Sequence, residues 1–190
     1  MPVSWDALAP DSREQLYAWP QQPWVRLNMV INAEGKTKGC DGSSHSITST
    51  HDRELVRFVR RDADAVIEGA ASVRAEGWFL PPRGDLLVVT RSNELPPGAP
   101  DRTRVLATTL ENLEHALIGK QHVLCEGGRT VATHLNEAGM IDELLLTFEA
   151  ASDAQIELPE WLANGAITWT CETDIADGTH RFTIWRRGIK

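Results

Sequence analysis

The sequence predicts an α/β protein whose sheet is mostly parallel, with flanking helices and antiparallel strands at its C-terminal edge. Short apolar segments alternate with segments of helical periodicity from about residue 24 to residue 148. This alternation is typical of parallel sheets with crossover helices. Beyond it, the segments AITWTCET and HRFTIWRRG flank Asp177 and Gly178. An Asp-Gly pair between two such segments predicts an antiparallel hairpin.

The first predicted strand is Trp24–Ile31, and its apolar character, with few breaks, indicates a central position in the sheet. A glycine-rich loop, NAEGKTKGCDGSSHS, follows this strand. Ser49 and Asp52 then have the spacing of a capping box, in which a side chain caps the start of a helix. The predicted helix extends to about Ala63 and includes three arginines, Arg57, Arg60 and Arg61.

The following segments repeat the strand–helix pattern. A strand in ADAVIEG turns at once into a short helix in GAASVRAEG, and DLLVVT and TRVLAT are the next two strands. A helix in LENLEHALIG precedes a fifth strand in QHVLCEG. GRTVATHLNEAG is a helix that Gly139 ends as a C-terminal cap, and DELLLTFEA returns to a strand.

Length and composition predict one domain. A chain of 190 residues can bury one substantial core, whereas two domains would be cramped. Residues 1–22 contain two tryptophans and three prolines, so we expect an irregular arm packed on the domain rather than a disordered tail. The chain has no apolar run of the length that a membrane span needs, and its N-terminus lacks the pattern of a secretion signal. We therefore expect no membrane partner.

Charge and cysteine usage exclude further classes of function. The formal net charge of −8 argues against a nucleic-acid-binding surface. The three cysteines, Cys40, Cys125 and Cys171, are widely separated, which fits a reducing cytoplasm rather than a disulfide framework. The chain has no C-x-x-C, H-x-E or H-E-x-x-H motif, so we expect no metal site.

Small and hydroxylated residues follow two of the predicted strands. Ligands bind beyond the carboxyl ends of strands in open α/β sheets, so these junctions are candidate sites. Gly69 and Ser72 either form a tight turn or let a phosphate approach the helix start. Thr90, Arg91 and Ser92 suit a ribose 2′-phosphate because a guanidinium is planar and always charged, although a solvated loop is the alternative.

A third junction follows the fifth strand, where Glu126, Gly127 and Gly128 precede Arg129 and Thr130. Two glycines permit a sharp turn, and they also leave the N–H groups of a helix start open to an anion. Three junctions of this kind on one sheet predict a dinucleotide site, although the G-x-G-x-x-G fingerprint is absent.

Four blocks in this order resemble a known family: NMVINAEGKTKGCDGSSHSITS, DAVIEGAASVRAEGW, VVTRSNELP and VLCEGGRTVATHLNEAGMIDELLLT. They are similar to the reductase domain of bacterial riboflavin-biosynthesis deaminase–reductases, and most of all to free-standing pyrimidine reductases with the dihydrofolate-reductase fold. The resemblance covers roughly residues 24–148. It implies a cytoplasmic homodimer that uses NADPH to reduce the ribosyl chain of 5-amino-6-(5-phosphoribosylamino)uracil to ribityl.

The resemblance also implies roles for individual residues. The implied cofactor-binding residues are Gly69, Ser72, Val73, Thr90, Arg91, Ser92, Glu126, Gly127, Gly128, Arg129 and Thr130. The implied substrate-binding residues are Asn28, Lys36, Thr48 and Arg60, the last three chiefly for the phosphate. Glu34 is the candidate catalytic residue, which would orient a water molecule or the ribose hydroxyls, or would be an ordinary loop residue.

Three departures from the family pattern leave alternatives open. Glu34 replaces the usual aspartate, Glu68 stands where an aliphatic residue is usual, and the Gly-Gly segment after the late strand is absent. One alternative is an NADPH-dependent reductase of a pterin, dihydrofolate or another heterocycle. The other is a nucleotide-binding homologue without turnover.

Overall fold

The computed structural model describes residues 2–92, 94–151, 153–163 and 167–188. Met1 of the predicted arm and Ala166 of the predicted hairpin lie outside these ranges. The strands are β1 (Val3–Ser4), β2 (Trp24–Ile31), β3 (Ala65–Gly69), β4 (Asp85–Val89), β5 (Val105–Thr108), β6 (His122–Cys125), β7 (Glu143–Glu149), β8 (Trp169–Ala176) and β9 (His180–Arg187). The helices are α1 (Pro10–Tyr17), α2 (Thr50–Arg61), α3 (Ala70–Glu76), α4 (Leu110–Ala116), α5 (Arg129–Glu137) and α6 (Glu160–Ala163).

The described strands form one sheet in the order β1-β8-β9-β7-β2-β6-β3-β4-β5. The strands from β7 to β5 are parallel to one another. Strand β9 is antiparallel to both β7 and β8, which confirms the predicted fold class. The outermost strand on that side is β1, which pairs with β8 and was not predicted.

Both faces of the sheet are buried, and alternate residues of a strand enter different cores. In β3, Ile67 packs into the core that includes Leu135 of α5. Val66 packs into the opposite core with Val59 of α2. Glu68 has the same parity as Val66, so its side chain lies on the α2 side of the sheet.

The predicted helix boundaries have the expected polar contacts. The Ser49 Oγ accepts a hydrogen bond of 3.1 Å from the Asp52 N–H, which confirms the N-cap of α2. Gly139 follows α5 with a φ of 68°, a left-handed conformation that favours glycine. In the hairpin between β8 and β9, Gly178 has a φ of 95° and the Asp177 N–H donates to the His180 carbonyl.

The N-terminal segment is more regular than the sequence predicts, because it contains β1, a turn of 3-10 helix at Trp5–Ala7 and helix α1. The Trp5 side chain is 1% exposed and lies in the core on the α2 side. The Trp19 indole N–H donates to the Val59 carbonyl at 3.0 Å. These aromatic contacts attach the segment to α2.

A buried arginine joins the same segment to the sheet. Arg26 of β2 is 0% exposed, and its guanidinium donates to the carbonyls of Tyr17 at 2.7 Å and Ala18 at 2.8 Å. It also pairs with the fully buried Glu143 of β7. The attachment of the N-terminal segment to the sheet therefore depends on the buried Arg26 guanidinium. None of the helices in the described ranges is long and apolar enough to cross a membrane.

Candidate functional site

Two clefts lie where the parallel strands end. The first has a volume of about 550 Å³ and is lined by α2 and by the ends of β2, β3 and β6; we call it the α2 cleft. The second has a volume of about 790 Å³ and lies between the starts of α3, α4 and α5 and the end of β4; we call it the α5 cleft. Thr37, Lys38, Ser72 and Gly128 line both clefts, so the two are continuous.

The α5 cleft brings together most of the residues for which the resemblance implied cofactor binding. Those in its lining are Gly69, Ser72, Thr90, Arg91, Ser92, Gly128, Arg129 and Thr130. The other three lie elsewhere. Val73 is buried in the core on the α2 side, Gly127 packs beneath α5, and Glu126 lines the α2 cleft.

The two glycine-containing junctions meet at the α5 cleft. Gly69 and Gly128 are the N-cap residues of α3 and α5, and neither helix has a side-chain cap. A Cβ atom on Gly69 would lie 3.7 Å from the Gly128 nitrogen. Two helix starts with unbonded N–H groups therefore converge, and such an arrangement attracts anions.

The adjacent glycines Gly127 and Gly128 have different surroundings. A Cβ atom on Gly127 would lie 3.1 Å from the Val131 Cβ and 3.3 Å from the Gly69 nitrogen. On Gly128 it would meet only the Ser72 Oγ, at 3.8 Å. Packing within the protein thus leaves little room for a side chain at 127, whereas Gly128 faces the open cleft.

The end of β4 supplies the polar groups of the α5 cleft. The Thr90 Oγ1 is buried and has no hydrogen-bonding partner among the residues that the structure describes. Arg91 and Ser92 are exposed beside it, and Arg91 has no ion-pair partner in the described part of the chain. A buried hydroxyl without a partner is unusual in a protein, and a ligand atom would satisfy it. These residues and the two helix starts fit an anionic dinucleotide.

The α2 cleft contains three of the residues with an implied role in substrate binding. Asn28 is buried in β2, and its Oδ1 has no hydrogen-bonding partner. Thr48 also lines the cleft, where its hydroxyl donates to the Asp52 carboxylate. Arg60 is the third.

Lys36 and Glu34 lie outside the lining of both clefts. Their side chains are 68% and 69% exposed, and they form an ion pair of 2.5 Å with each other. The loop bends back at this point, since the Asn32 Oδ1 accepts from the N–H groups of both residues. The structure does not bring this pair to Arg60, and the roles of Lys36 and Glu34 stay predictions.

Arg60 and Glu126 form an ion pair inside the α2 cleft. The Arg60 Nε donates to the two Glu126 carboxylate oxygens at 2.9 and 3.0 Å, and Nη2 donates to Oε2 at 2.5 Å. The guanidinium also lies 3.9 Å from the centre of the Phe79 ring. Burial raises the pKa of Glu126, and Arg60 opposes that rise. In the structure the Glu126 side chain therefore holds an arginine of α2.

Glu68 is the cleft residue to which sequence reasoning gave no role. The residue is only 7% exposed and lines the α2 cleft, and its Oε2 has no hydrogen-bonding partner within the described ranges. Burial and the neighbouring Glu126 raise the pKa of Glu68 well above its ordinary value. The signal in the sequence was its departure from the aliphatic residue usual in the resembled family.

Further positive charge lines the mouth of the α2 cleft. Arg53 and Arg57 are exposed on α2, and Lys38 of the preceding loop is half-buried. Neither Arg57 nor Lys38 has an ion-pair partner among the described residues. The spacing of residues 53, 57 and 60 places them on one face of a helix. This spacing is the feature of the sequence from which a shared basic surface could have been predicted. In the described ranges, no group of three or more His, Cys, Asp or Glu side chains could hold a metal ion.

Known proteins resemble this chain in sequence. The family model described as RibD C-terminal domain matches residues 23–150. The riboflavin biosynthesis protein RibD of Mycobacterium tuberculosis is 30% identical over 157 residues, which cover 70% of this chain and 46% of the relative. The chain thus spans about half the length of the curated relatives it matches.

Solved structures have the same fold. A pyrimidine reductase-like protein from Corynebacterium diphtheriae superposes with a TM-score of 0.71 at 17% identity, covering 93% of this chain and 99% of the other. Dihydrofolate reductase from Enterococcus faecalis, solved in complex with NADP(H), has a TM-score of 0.64 at 16% identity, covering 88% and 98%. Since the family match includes more than half of the chain, this protein belongs to the family of RibD C-terminal domains.

Proposed function

We propose that this chain is an NADPH-dependent reductase of riboflavin biosynthesis. Its substrate would be 5-amino-6-(5-phosphoribosylamino)uracil, whose ribosyl chain it reduces to ribityl. Family membership supports the reaction class. The observation that supports it most within the molecule is the continuity of the two clefts at Ser72 and Gly128. A cofactor bound at the starts of α3 and α5, beside Gly69 and Gly128, would adjoin a substrate in the α2 cleft.

The α5 cleft suits NADPH, which supplies a hydride when bound. The N–H groups at the start of α5, next to Gly128 and Thr130, would hold the pyrophosphate in the field of the helix dipole. Thr90, Arg91 and Ser92 would hold the 2′-phosphate. The unpartnered Thr90 hydroxyl and the free Arg91 guanidinium are the groups that such a phosphate would satisfy.

The α2 cleft suits a ring with a phosphorylated tail. Asn28, Glu68 and Glu126 present buried polar atoms to a ring. Arg57 and Lys38 at the mouth would bind the phosphate, because their charges are not neutralised within the described chain. Arg60 faces the same space, although its guanidinium is already bound to Glu126. We therefore add Arg57 and Lys38 to the phosphate residues implied by the resemblance.

A second candidate reaction is the reduction of a dihydropterin or of dihydrofolate. The two carboxyl groups Glu68 and Glu126 favour it, because a 2-amino-pyrimidine ring presents several N–H donors to carboxylates. Both candidates use the same cofactor cleft, so they differ only in the ligand of the α2 cleft.

Oxidation of NADPH, followed by its absorbance, distinguishes the candidates. We expect turnover with the phosphoribosylaminouracil and none with dihydropterin or dihydrofolate. Arg57→Ala should raise KM for the phosphorylated substrate roughly tenfold at unchanged kcat. Arg61→Ala is the matched control, since Arg61 pairs with Asp62 and stacks on Phe58. Turnover of the pterin alone would replace the proposed reaction by the second one.

The homodimer and the cytoplasmic location that the resemblance implies stay predictions. Sedimentation velocity of the purified protein tests the first, with a single species of twice the chain mass of 21.1 kDa as the expected result.

A further inference from the structure

Glu68 and Glu126 lie side by side at the ends of two neighbouring parallel strands. Ile67 of β3 is in register with Cys125 of β6, and the Glu126 N–H donates to the Ile67 carbonyl at 2.9 Å. The next residue on each strand is a glutamate, and both side chains line the α2 cleft. The cleft thus contains two adjacent buried carboxyl groups.

In the described part of the chain, Arg60 is the cation that pairs with these carboxyl groups. The charged groups that act on Glu68 are Glu126 from the end of β6, Arg60 from α2 and Glu76 from α3. Arg60 is bound to both oxygens of Glu126, which favours the charged form of Glu126 and leaves Glu68 without an ion-pair partner among the described residues. An ionised carboxylate in this position would be buried, unpaired and next to another negative charge, which is strongly unfavourable.

Burial beside Glu126 therefore favours the protonated form of Glu68, in agreement with its raised pKa. A protonated carboxyl can donate one hydrogen bond, whereas a carboxylate only accepts. The pair consequently presents one donor, Glu68, and one acceptor, Glu126, to whatever occupies the cleft.

We propose that Glu68 is a specificity-determining residue that donates a hydrogen bond to a carbonyl oxygen of the substrate ring, while Glu126 accepts from the adjacent ring N–H. This inference rests on the proposed function and deepens it. A donor beside an acceptor complements the N–H and C=O edge of a pyrimidinedione. An aliphatic residue at this position would make no such contact.

The contact would discriminate between substrates with different rings. A buried donor left without a partner costs free energy, so a ring that lacks the carbonyl would be rejected more strongly than by an apolar wall. The contact would also depend on pH. When pH rises above the pKa of Glu68, the donor is lost and a second negative charge faces the carbonyl, so affinity should fall.

Calorimetric binding of 5-amino-6-(5-phosphoribosylamino)uracil in the presence of NADP⁺, which cannot donate a hydride, tests the inference. We compare the unmodified chain with Glu68→Gln, whose amide keeps a neutral donor, and Glu68→Val, which has none. The valine variant should bind roughly tenfold more weakly at neutral pH, and the glutamine variant within about threefold of the unmodified chain. Affinity of the unmodified chain should decline at alkaline pH, and that of Glu68→Gln should not.

Equal affinity of the valine variant and the unmodified chain would overturn the role of Glu68. If the valine variant fails to fold, the pH profiles decide, and parallel profiles of the glutamine variant and the unmodified chain would overturn it. If the chain reduces the substrate but its binding does not depend on Glu68, this inference is wrong and the proposed reaction stands. If binding depends on Glu68 but the chain does not reduce the substrate, the proposed reaction is wrong and the recognition of the ring by Glu68 stands. Absence of binding to the unmodified chain would remove both.

Discussion

The position of Glu68 favours its protonated form in the folded protein more than in the unfolded chain. Its pKa is raised by burial first and by Glu126 second, so between its ordinary value of about 4.5 and its folded value the native state binds more protons than the unfolded state. The free energy of unfolding must then decrease as pH rises through this interval. The stabilising proton is fully present below the unfolded pKa and is lost above the folded one.

We expect Glu68→Gln to remove much of this dependence. The melting temperature of the unmodified chain should fall as pH rises from about 5, and that of the variant should fall less and be the higher of the two at alkaline pH. Thermal unfolding followed by circular dichroism over this range measures both curves. Parallel curves would mean that Glu68 is ionised in the folded protein.

Arg91 should decide which nicotinamide cofactor binds. Its guanidinium is free within the described chain and lies beside the Thr90 hydroxyl, so the 2′-phosphate of NADPH would gain a charged contact that NADH lacks. Arg91→Ala should weaken NADPH binding roughly tenfold and leave NADH binding unchanged. Arg102→Ala, an exposed change outside the lining of both clefts, controls for net charge. Calorimetric titration with both cofactors would contradict the assignment if Arg91→Ala weakened them equally.

The partners of single side chains are what the sequence could not predict. Arg60 was expected to bind a phosphate, yet the carboxylate it holds in the structure comes from a residue 66 positions away. No local spacing connects two such groups, because the contact forms only when α2 packs on the sheet near the end of β6. Lys36 and Glu34 could each be named as candidates, but their pairing in an exposed loop depends on the turn that Asn32 stabilises.

At the scale of helices and strands, the start of α5 has one glycine that packs against protein atoms and a second that faces the α5 cleft. Gly127→Ala should lower the melting temperature, because its Cβ would lie within 3.1 Å of Val131 and 3.3 Å of the Gly69 backbone. Gly128→Ala should leave the melting temperature nearly unchanged and weaken NADPH binding roughly tenfold, since its methyl group enters the α5 cleft. Thermal unfolding and NADPH titration of both variants measure the two effects. Equal effects of the two variants on the melting temperature and on NADPH binding would show that Gly127 and Gly128 do not have separate roles.

Periodic elements could be predicted from the sequence, and those formed by tertiary contacts could not. Strand β2 and helix α2 each have a run or a stripe of apolar residues and lie where the sequence predicts them. Helix α1 has the sequence PDSREQLY, in which only the last two residues could pack on a core. Its position depends on the buried Arg26, which binds the carbonyls at and after its last residue. No pattern within α1 indicates that contact.

At the scale of the whole molecule, Arg26 connects the N-terminal segment to the centre of the sheet. Arg26→Leu removes its bonds to Tyr17 and Ala18 and leaves Glu143 buried without its nearest cation. Breaking a buried ion pair in this way should cost about 3–5 kcal/mol of unfolding free energy. Urea denaturation measures the loss.

Arg186→Leu is the matched control, because Arg186 pairs with the same carboxylate from a position that is 38% exposed. A pair with an exposed arginine contributes less, so the control should lose only about 1 kcal/mol. An equal loss in the two variants would mean that the attachment of the N-terminal segment contributes nothing beyond the ion pair.

The position of β9 has a consequence for how the chain is made. This strand follows the others in the sequence, yet it lies between β7 and β8 in the sheet, and β1 pairs only with β8. During translation, the parallel strands β2 to β7 can assemble as they emerge from the ribosome. The hairpin must form before β1 can pair with β8, so β1, which is synthesised before the other described strands, is among the last of them to join the sheet.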